Sequence, residues 1–508
     1  MAVLVLGDQL HPDHGPVADA DRVAMVEARA FARRHAYHPH KLTLVFAAMR
    51  HFRDRLREAG VTVDYYECET FADGLDTHFE RYPGDDLVVM EPPSHGAADR
   101  LTGLIAERGG SLDVVENELF LASRALWDRE FGDEEPPYRH EDFYRVVRRE
   151  TGYLMEDGDP VGGEWNYDDE NQEFPGEGYE TPEPPRFEPD AITEEVWEWA
   201  TSLSGSYDTE PKGPEWADPE PFFWPVTREE ALDALDAFVD SRLAEFGPYQ
   251  DAMLAEEWSL NHALLSGALN VGLLHPAEVA ERVIEGAKEQ PDTPLNSVEG
   301  FVRQVIGWRE FMRHVYRDGM PDLADANQLD ADHDLPELYW TGETDMACLS
   351  DVVDGVRERG YSHHIERLMI LSNFALVYGA EPAQLSEWFH AGYVDAYHWV
   401  TTPNVVEMGS FGQGVFATKP YASSANYVNR MSDYCSGCEY YHTKDSGEGA
   451  CPFNSLYWDF LDRNEKQLRS NHRMGLVYSH LDNKQGEELD AIRERAAEVR
   501  EMAENGDL

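Results

Sequence analysis

The sequence predicts an α/β N-terminal domain built on a doubly wound parallel sheet, followed by a large all-α domain. Strand-like and helix-like segments alternate through residues 1–130, the pattern of βαβ units. From residue 228 to residue 508 the apolar residues recur at helical spacing. Between these regions, residues 131–227 contain EDGDPVGGEWNYDDENQEFPGEGYETPEPP, so dense in Asp, Glu, Pro and Gly that the segment reads as an interdomain connector over the surface.

The first strand is VLVLGDQL, ending in Gly7-Asp8-Gln9, where a small ligand could sit at the carboxyl edge of the sheet. An amphipathic run to Arg34 follows, then LTLVFAAM as a strand, a helix through HFRDRLREAG, and strands in VTVDYYE, DLVVMEP and LDVVENELF. No Gly-x-Gly-x-x-Gly is present, so a dinucleotide site of the usual kind is unsupported. Within the connector, Trp165, Tyr167 and Phe174 are expected to pin parts of it down. The helical half comprises REEALDALDAFVDSRL, ALLSGALNVGLL, PAEVAERVIEGAKE, EGFVRQVIGWREFMRHVYR, HHIERLMILSNFALVYG, PAQLSEWFHAGYVDAYHWV and ELDAIRERAAEVREMAE, without internal repeats.

Charge is a second strong signal. The 508 residues carry 99 Asp+Glu against 42 Lys+Arg, a net charge of −57, and arginine far outnumbers lysine. Disorder would be one reading of such charge, but 12 Trp, 24 Tyr and 22 Phe supply too much core for it. An acidic, lysine-poor surface over an ordinary core suits a cytoplasm rich in salt, that of a halophile. No apolar run approaches the roughly 20 residues needed to span a bilayer, so a soluble, cytoplasmic monomer without membrane contact is expected. The charge would repel DNA in dilute buffer. At molar salt the Debye length is about 3 Å and the repulsion is screened; DNA binding would then rest on stacking and hydrogen bonds to an extruded base.

Four of the five cysteines have the placement of metal ligands: Cys435 and Cys438 form a Cys-x-x-Cys, Cys451 precedes a proline, and Cys348 lies upstream. On ligand chemistry alone, structural zinc and an iron-sulfur cluster are both open. The surrounding Tyr434, Tyr440, Tyr441, Phe453, Tyr457, Trp458 and Phe460 favour a buried redox cluster over a zinc ribbon. Leu265-Ser266-Gly267, opening a helix, offers N–H groups and a hydroxyl to a pyrophosphate, or is a plain cap. His363 and His364 are adjacent, so only one can face a given ligand. Arg309, Arg313 and Arg317 make a basic stripe at i, i+4 and i+8, suited to DNA phosphates, to a solvated helix face or to an internal ion-pair set.

Three stretches carry a resemblance. Tyr249-Gln250-Asp251 leading into SLNHALLSGALNVGLLHPAEV resembles the flavin-phosphate motif of photolyases and cryptochromes. GWREFMRHVYR is similar to their Trp-Arg-Glu-Phe helix, and YSHHIERLMILSNFAL with VDAYHWVTTPN looks like their lesion-facing helix and the loop under the flavin. With the four cysteines, GDQL, FAAMRHFRDRL and GGEWNYDDEN, the chain resembles the iron-sulfur bacterial cryptochromes and prokaryotic (6-4) photolyases, also called photolyase-related proteins, over essentially its whole length.

That resemblance implies the photolyase/cryptochrome fold, an FAD, and a 4Fe-4S cluster on Cys348, Cys435, Cys438 and Cys451. Tyr249, His262, Leu265 and Ser266 would hold the FAD phosphates, Gln304 and Arg309 would line the flavin, and Gly307 is an extra residue in that motif. Arg367 and Asp395 match the paired charges beside the ring, Tyr397 belongs to the same pocket, and Thr401 falls opposite flavin N5, where relatives carry Asn or an acid. His364 matches the histidine that donates a proton to the lesion, with His363 beside it and Leu368 where animal members have a second histidine. Trp388 and Trp340 match the electron-transfer tryptophans, with Phe389 in place of a tyrosine. Gly7, Asp8 and Gln9 match the site of the antenna 6,7-dimethyl-8-ribityllumazine, although RAFARRHAYHPHK departs from the aromatic and acidic pattern there. The implied activity is light-driven repair of pyrimidine (6-4) photoproducts flipped out of UV-damaged DNA, by electron transfer from excited reduced FAD. The alternatives are a cryptochrome photoreceptor with the same cofactors and a light-independent iron-sulfur nucleic-acid binding module.

Overall fold

The computed structural model describes every residue except 177 and 256. Strands β1 (Ala2–Val5), β2 (Arg22–Ala28), β3 (Thr62–Cys68), β4 (Asp86–Met90) and β5 (Ser111–Val115) form one parallel sheet in the order β3-β2-β1-β4-β5. β1 lies at its centre, fully buried, with Val3 in register with Val23 on one side and Val88 on the other. The chain first builds outward through β2 and β3, then crosses to the other side of β1, so the strand order reverses beside it. Such a reversal opens a crevice at the carboxyl ends of the strands, and Gly7, Asp8 and Gln9 follow β1 there. The fold class read from the sequence is the one observed.

Two elements exchange identity relative to the sequence reading. Residues 22–28, taken as part of an amphipathic helical run, form β2, and residues 42–49, taken as a strand, lie inside the helix Pro39–Glu58. A continuous apolar run does not distinguish a buried strand from a buried helix. Here residues 42–49 are buried on every side of the helix: the sheet and the helix Ala191–Ser202 pack against it, and Lys41 Nζ donates to the carbonyl oxygens of His390 (2.5 Å) and Ala396 (2.7 Å) in the helical region. Its start does carry a signal, since His38 caps it and Pro39 occupies the first helical position. Two other helical runs are shorter than their periodicity suggests: ALLSGALNVGLL is helical only over Ser266–Val271, and PAQLSEWFHAGYVDAYHWV divides into Pro382–Gly392 and His398–Thr402.

Residues 131–227 contain the helices His140–Thr151 and Ala191–Ser202. Trp165 is held under the guanidinium groups of Arg145, Arg148 and Arg149, 4.8 to 5.4 Å from its ring centre, and Tyr167 N donates to Glu299 (3.1 Å). Leu10 N donates to the carbonyl oxygen of Val271 (2.9 Å), joining the turn after β1 to the helical region. Among the described residues, no helix is long and apolar enough to cross a membrane.

Three π-helical turns interrupt the helices that carry the predicted site: Arg303–Trp308, Glu366–Ser372 and Pro403–Gly409. A π-turn absorbs one extra residue and rotates the side chains beyond it, and such turns gather at functional sites. The first contains Gly307, the extra residue of the motif. A Cβ there would lie 2.8 Å from His140 Nε2 and 3.1 Å from Tyr144 Cδ2, and the His140 ring is clamped against Trp308 at 3.7 Å and 4°. The inserted position therefore calls for glycine.

Candidate functional site

The site is built around one ion pair. Arg367 Nη1 and Nη2 donate to Asp395 Oδ1 (3.0 Å) and Oδ2 (3.1 Å), and Arg367 Nε donates to the carbonyl oxygen of Ser362 (2.7 Å). Ser266 Oγ donates to Asp395 Oδ2 (2.6 Å) and Asn270 Nδ2 to the Asp395 carbonyl oxygen (2.8 Å). Asp395 is buried, but the Arg367 charge and these hydrogen bonds outweigh the burial and lower its pKa. Tyr393, which sequence reasoning does not single out, lays its ring 4.2 Å from the Arg367 guanidinium and bonds Ser362 Oγ through its hydroxyl (2.9 Å).

Around the pair, polar atoms face inward without partners. His262 Nε2, His363 Nδ1 and Tyr397 OH are buried and unpaired among the described residues. The His262 and His363 rings stack at 4.5 Å and 11°, and His363 Nε2 lies 3.1 Å from Glu366 Oε1 at an angle too poor for a hydrogen bond. Burial holds the His262 pKa well below its ordinary value, with His363, His364, Arg242 and Arg367 adding to the effect. Tyr397 is pushed well above its own, by burial and then by Asp8. Unpaired buried donors and acceptors are uncommon and mark a place where a polar ligand belongs. The loop entering Ser266 is strained as well: Leu260 (φ 39°) and Leu264 (φ 60°) take the left-handed backbone that costs a bulky residue about 1–3 kcal/mol.

The adjacent histidines divide as helical geometry requires. His363 is fully buried against His262, whereas His364 is exposed. The protein atoms crowding its ring, then Arg367 and His363, lower the His364 pKa. The other predicted residues have these places. Leu265 precedes Ser266 and is buried; the half-buried Tyr249 packs edge-on against Tyr179 (5.1 Å); Gln304 lies on the first π-turn; Thr401 is buried, its N–H bonded to the Tyr397 carbonyl oxygen (2.8 Å).

The basic stripe does not face outward. Arg309 donates to the Leu119 carbonyl oxygen (3.2 Å) and Glu310 Oε1 (3.0 Å), and its guanidinium lies 4.3 Å from the Phe120 ring. Arg313 lies over the same ring at 4.1 Å and near Glu91 (3.5 Å), while Arg317 faces Asp128 and Asp318. The phosphate-binding reading of the stripe is thus corrected: the arginines are an internal set holding the helical region on the α/β domain.

From Arg367 an aromatic route leads outward. Tyr393 meets Trp388 edge-on at 5.8 Å, and buried Trp388 donates through Nε1 to the carbonyl oxygen of Tyr339 (2.7 Å), the residue before Trp340. Trp340 is half-buried, stacked on Tyr207 (4.5 Å, 4°) and edge-on to Trp216 (5.3 Å). Phe389 stacks on Tyr393 (5.1 Å).

Cys348, Cys435, Cys438 and Cys451 line one pocket. Burial, reinforced by the neighbouring thiols, raises Cys348 well above the ordinary thiol range, and burial raises Cys451 to about 12 and Cys435 to about 11. Thiolates there require a cation to hold them. A tetrahedral zinc at about 2.3 Å from each sulfur would bring the sulfurs to about 3.8 Å from one another, yet no three of the four lie mutually within 4.8 Å. The pocket is joined to the segment that carries Arg367: Tyr434 OH donates to Asp351 (3.0 Å) and Glu366 (3.3 Å), and Asp351 is raised to about 7 by burial and by Glu366. At the sheet edge, Gln9 Nε2 donates to the Met90 carbonyl oxygen (2.8 Å), Gly7 packs on Met49, and burial raises Asp8 to about 6.

Comparisons with known proteins identify the family and the fold. The family model described as deoxyribodipyrimidine photo-lyase-related protein matches residues 3–207. A (6-4) photolyase of Agrobacterium fabrum is 40% identical over 488 residues, 94% of this chain and 94% of that protein. The chain belongs to the (6-4) photolyase family. The fold is that of photolyases and cryptochromes: a bacterial class III photolyase from Agrobacterium tumefaciens superposes with a TM-score of 0.59 at 16% identity, covering 99% of this chain and 96% of that one. A Synechocystis cryptochrome superposes at 0.55 and 12% identity, over 85% and 86%. Membership of the photolyase family implies FAD as cofactor, and the donor set fits it: the unpaired ring nitrogens of His262 and His363 and the bidentate Arg367–Asp395 pair are polar groups that a ligand can engage.

Proposed function

We propose that this chain repairs (6-4) photoproducts in DNA with light, on an FAD held by Tyr249, His262, Leu265, Ser266, Gln304, Arg367, Asp395, Tyr397 and Thr401. What carries the proposal is the Arg367–Asp395 pair with the exposed His364 one helical turn before Arg367, in a chain 40% identical to a (6-4) photolyase along nearly its whole length. When bound in reduced form and excited by light, the flavin supplies the electron that opens the lesion. The residues do the rest. Arg367, oriented by Asp395, presents its guanidinium where negative charge develops. His364, the one histidine of the pair with an open face, delivers a proton to the flipped base. Tyr393, Trp388 and Trp340 form the route by which electrons reach the site from the surface.

Two further cofactors belong to the proposal. The cysteine pocket holds a 4Fe-4S cluster, since its sulfurs are too widely spread for a single ion and its walls are aromatic. The turn Gly7-Asp8-Gln9 at the strand reversal takes an antenna of the ribityllumazine kind. The charge of −57 fits a halophilic source, in whose salt DNA approach is unhindered.

The test is a repair assay on an oligonucleotide carrying one (6-4) lesion, under blue light, with reduced wild type and His364→Ala. Wild type restores the bases and the variant, with unchanged flavin content, does not. A wild type that photoreduces fully and repairs nothing sinks the proposal in favour of a photoreceptor.

A further inference from the structure

We propose that His35, His390 and His398 form a binding site for a divalent transition cation of the zinc class, set between the α/β domain and the helical region. The three imidazoles each offer one nitrogen, and these nitrogens all lie within 4.8 Å of one another, the one such group of histidine, cysteine or carboxylate side chains among the described residues. They come from separate elements: His35 follows the short turn Arg29–Arg33, His390 ends the helix Pro382–Gly392, and His398 opens the helix His398–Thr402. None belongs to the site around Arg367 and Asp395 or to the cysteine pocket.

The surroundings prepare the rings for ligation. His390 is buried, with Nε2 3.2 Å from the Tyr37 hydroxyl and Nδ1 without a partner. If Nε2 carries the proton toward Tyr37, Nδ1 presents its lone pair, the arrangement that metal-binding histidines use. His35 Nδ1 lies 3.4 Å from Glu387 Oε1, a carboxylate behind a histidine as at many zinc centres, and Glu387 also pairs with Lys212. A tetrahedral ion with Zn–N of about 2.0–2.1 Å needs its nitrogens about 3.4 Å apart. Closing from 4.8 Å requires a small rotation of His398, which is exposed and stacked on His390 at 3.8 Å, and of His35, which is half-buried. Lys41 opposes the cation, but its ammonium is turned to the carbonyl oxygens of His390 and Ala396, and Glu387 supplies the opposite charge. Three histidines leave a fourth position for water. Because the ligands come from both domains, a bound ion ties the segment around His35 to the helical region and stabilises the folded chain by mass action.

The probe is Co²⁺, titrated into the cofactor-loaded protein and followed by absorption, then displaced with Zn²⁺. Wild type should bind one equivalent with the d–d bands of a nitrogen-ligated tetrahedral ion, and Zn²⁺ should raise its melting temperature. His398→Asn and His35→Gln, both at accessible positions, should weaken Co²⁺ at least tenfold and abolish the Zn²⁺ shift while melting with wild type in the absence of metal. The proposal is overturned by lack of saturable binding in wild type, by equal affinity in both variants, or by thiolate-to-cobalt charge-transfer bands that persist in them, which would put the metal at the cysteines.

Discussion

Asp395 offers the sharpest test of how the site is held. Asp395→Asn keeps the shape of the side chain but removes the charge and puts an N–H₂ where an oxygen accepted. Arg367 then retains one of its two bonds, at 3.0 or 3.1 Å, and Ser266 Oγ, now 2.6 Å from its acceptor, loses that acceptor when the nitrogen takes the Oδ2 place. The larger effect is the half-buried guanidinium left without a counter-charge: removing one partner of a fully buried pair costs about 3–5 kcal/mol, and the 24% exposure of Arg367 puts this pair at the lower end. Adding Arg367→Met removes the stranded cation, and replacing a whole buried pair is often near neutral, so the double variant should recover at least about 2 kcal/mol of the loss. Urea unfolding of flavin-free protein measures all four corners of the cycle. Asp395→Asn within about 0.5 kcal/mol of wild type, or a double variant that loses the sum of both singles, would refute the view that this pair is electrostatically coupled in the folded state. The pH dependence adds a check: a carboxyl whose pKa is lowered by folding stabilises above the ordinary carboxylate range and loses that contribution as pH falls through the folded value. Wild type should show that acid loss and Asp395→Asn should lack it.

His40 sets a second acid limb: its Nδ1 accepts from Trp224 Nε1 (3.1 Å), its Nε2 donates to the Glu220 carbonyl oxygen (2.8 Å), and burial lowers its pKa from 6.5 to about 4. The unfolded chain therefore takes the proton first, stability is complete above about pH 6.5 and declines by about 3 kcal/mol toward pH 4, and His40→Gln should flatten that decline in urea midpoints at pH 7.5 and 4.5; an unchanged decline would count against it. Trp388→Phe keeps the packing of a buried ring but removes the oxidisable indole and its bond to Tyr339, so flavin photoreduction should slow at least tenfold with flavin content unchanged, and an equal rate would rule out this route. Cys348→Ser should release iron and lower the melting temperature of the C-terminal helices; a variant without iron that melts like wild type would show that the cluster is not structural.

How legible the chain is depends on how far each determinant reaches. The alternation of elements, the Cys-x-x-Cys and the position of His364 are local patterns, and each leads to the fold or to a place in it. The strand and helix exchanged in the first sixty residues are not local: residues 42–49 are helical because a second domain covers the face that would otherwise be polar, and no window of sequence contains that domain. The same reach explains the arginine stripe, whose spacing is visible but whose partners, Leu119, Phe120, Glu91 and Asp128, lie about two hundred residues away. Tyr393 was readable only as an aromatic between Trp388 and Asp395; its use as the platform under Arg367 needs the turn that separates two helices. Gly307 lies between these cases. As an extra residue it breaks the register of a known motif, and the structure resolves the break with a π-turn that rotates Gln304 relative to Trp308. Two more π-turns follow His364 and Thr401. A hydrophobic periodicity of 3.6 cannot register an added residue per turn. The site is thus least legible where the helices are locally widened, and that widening sets the direction in which the functional side chains point.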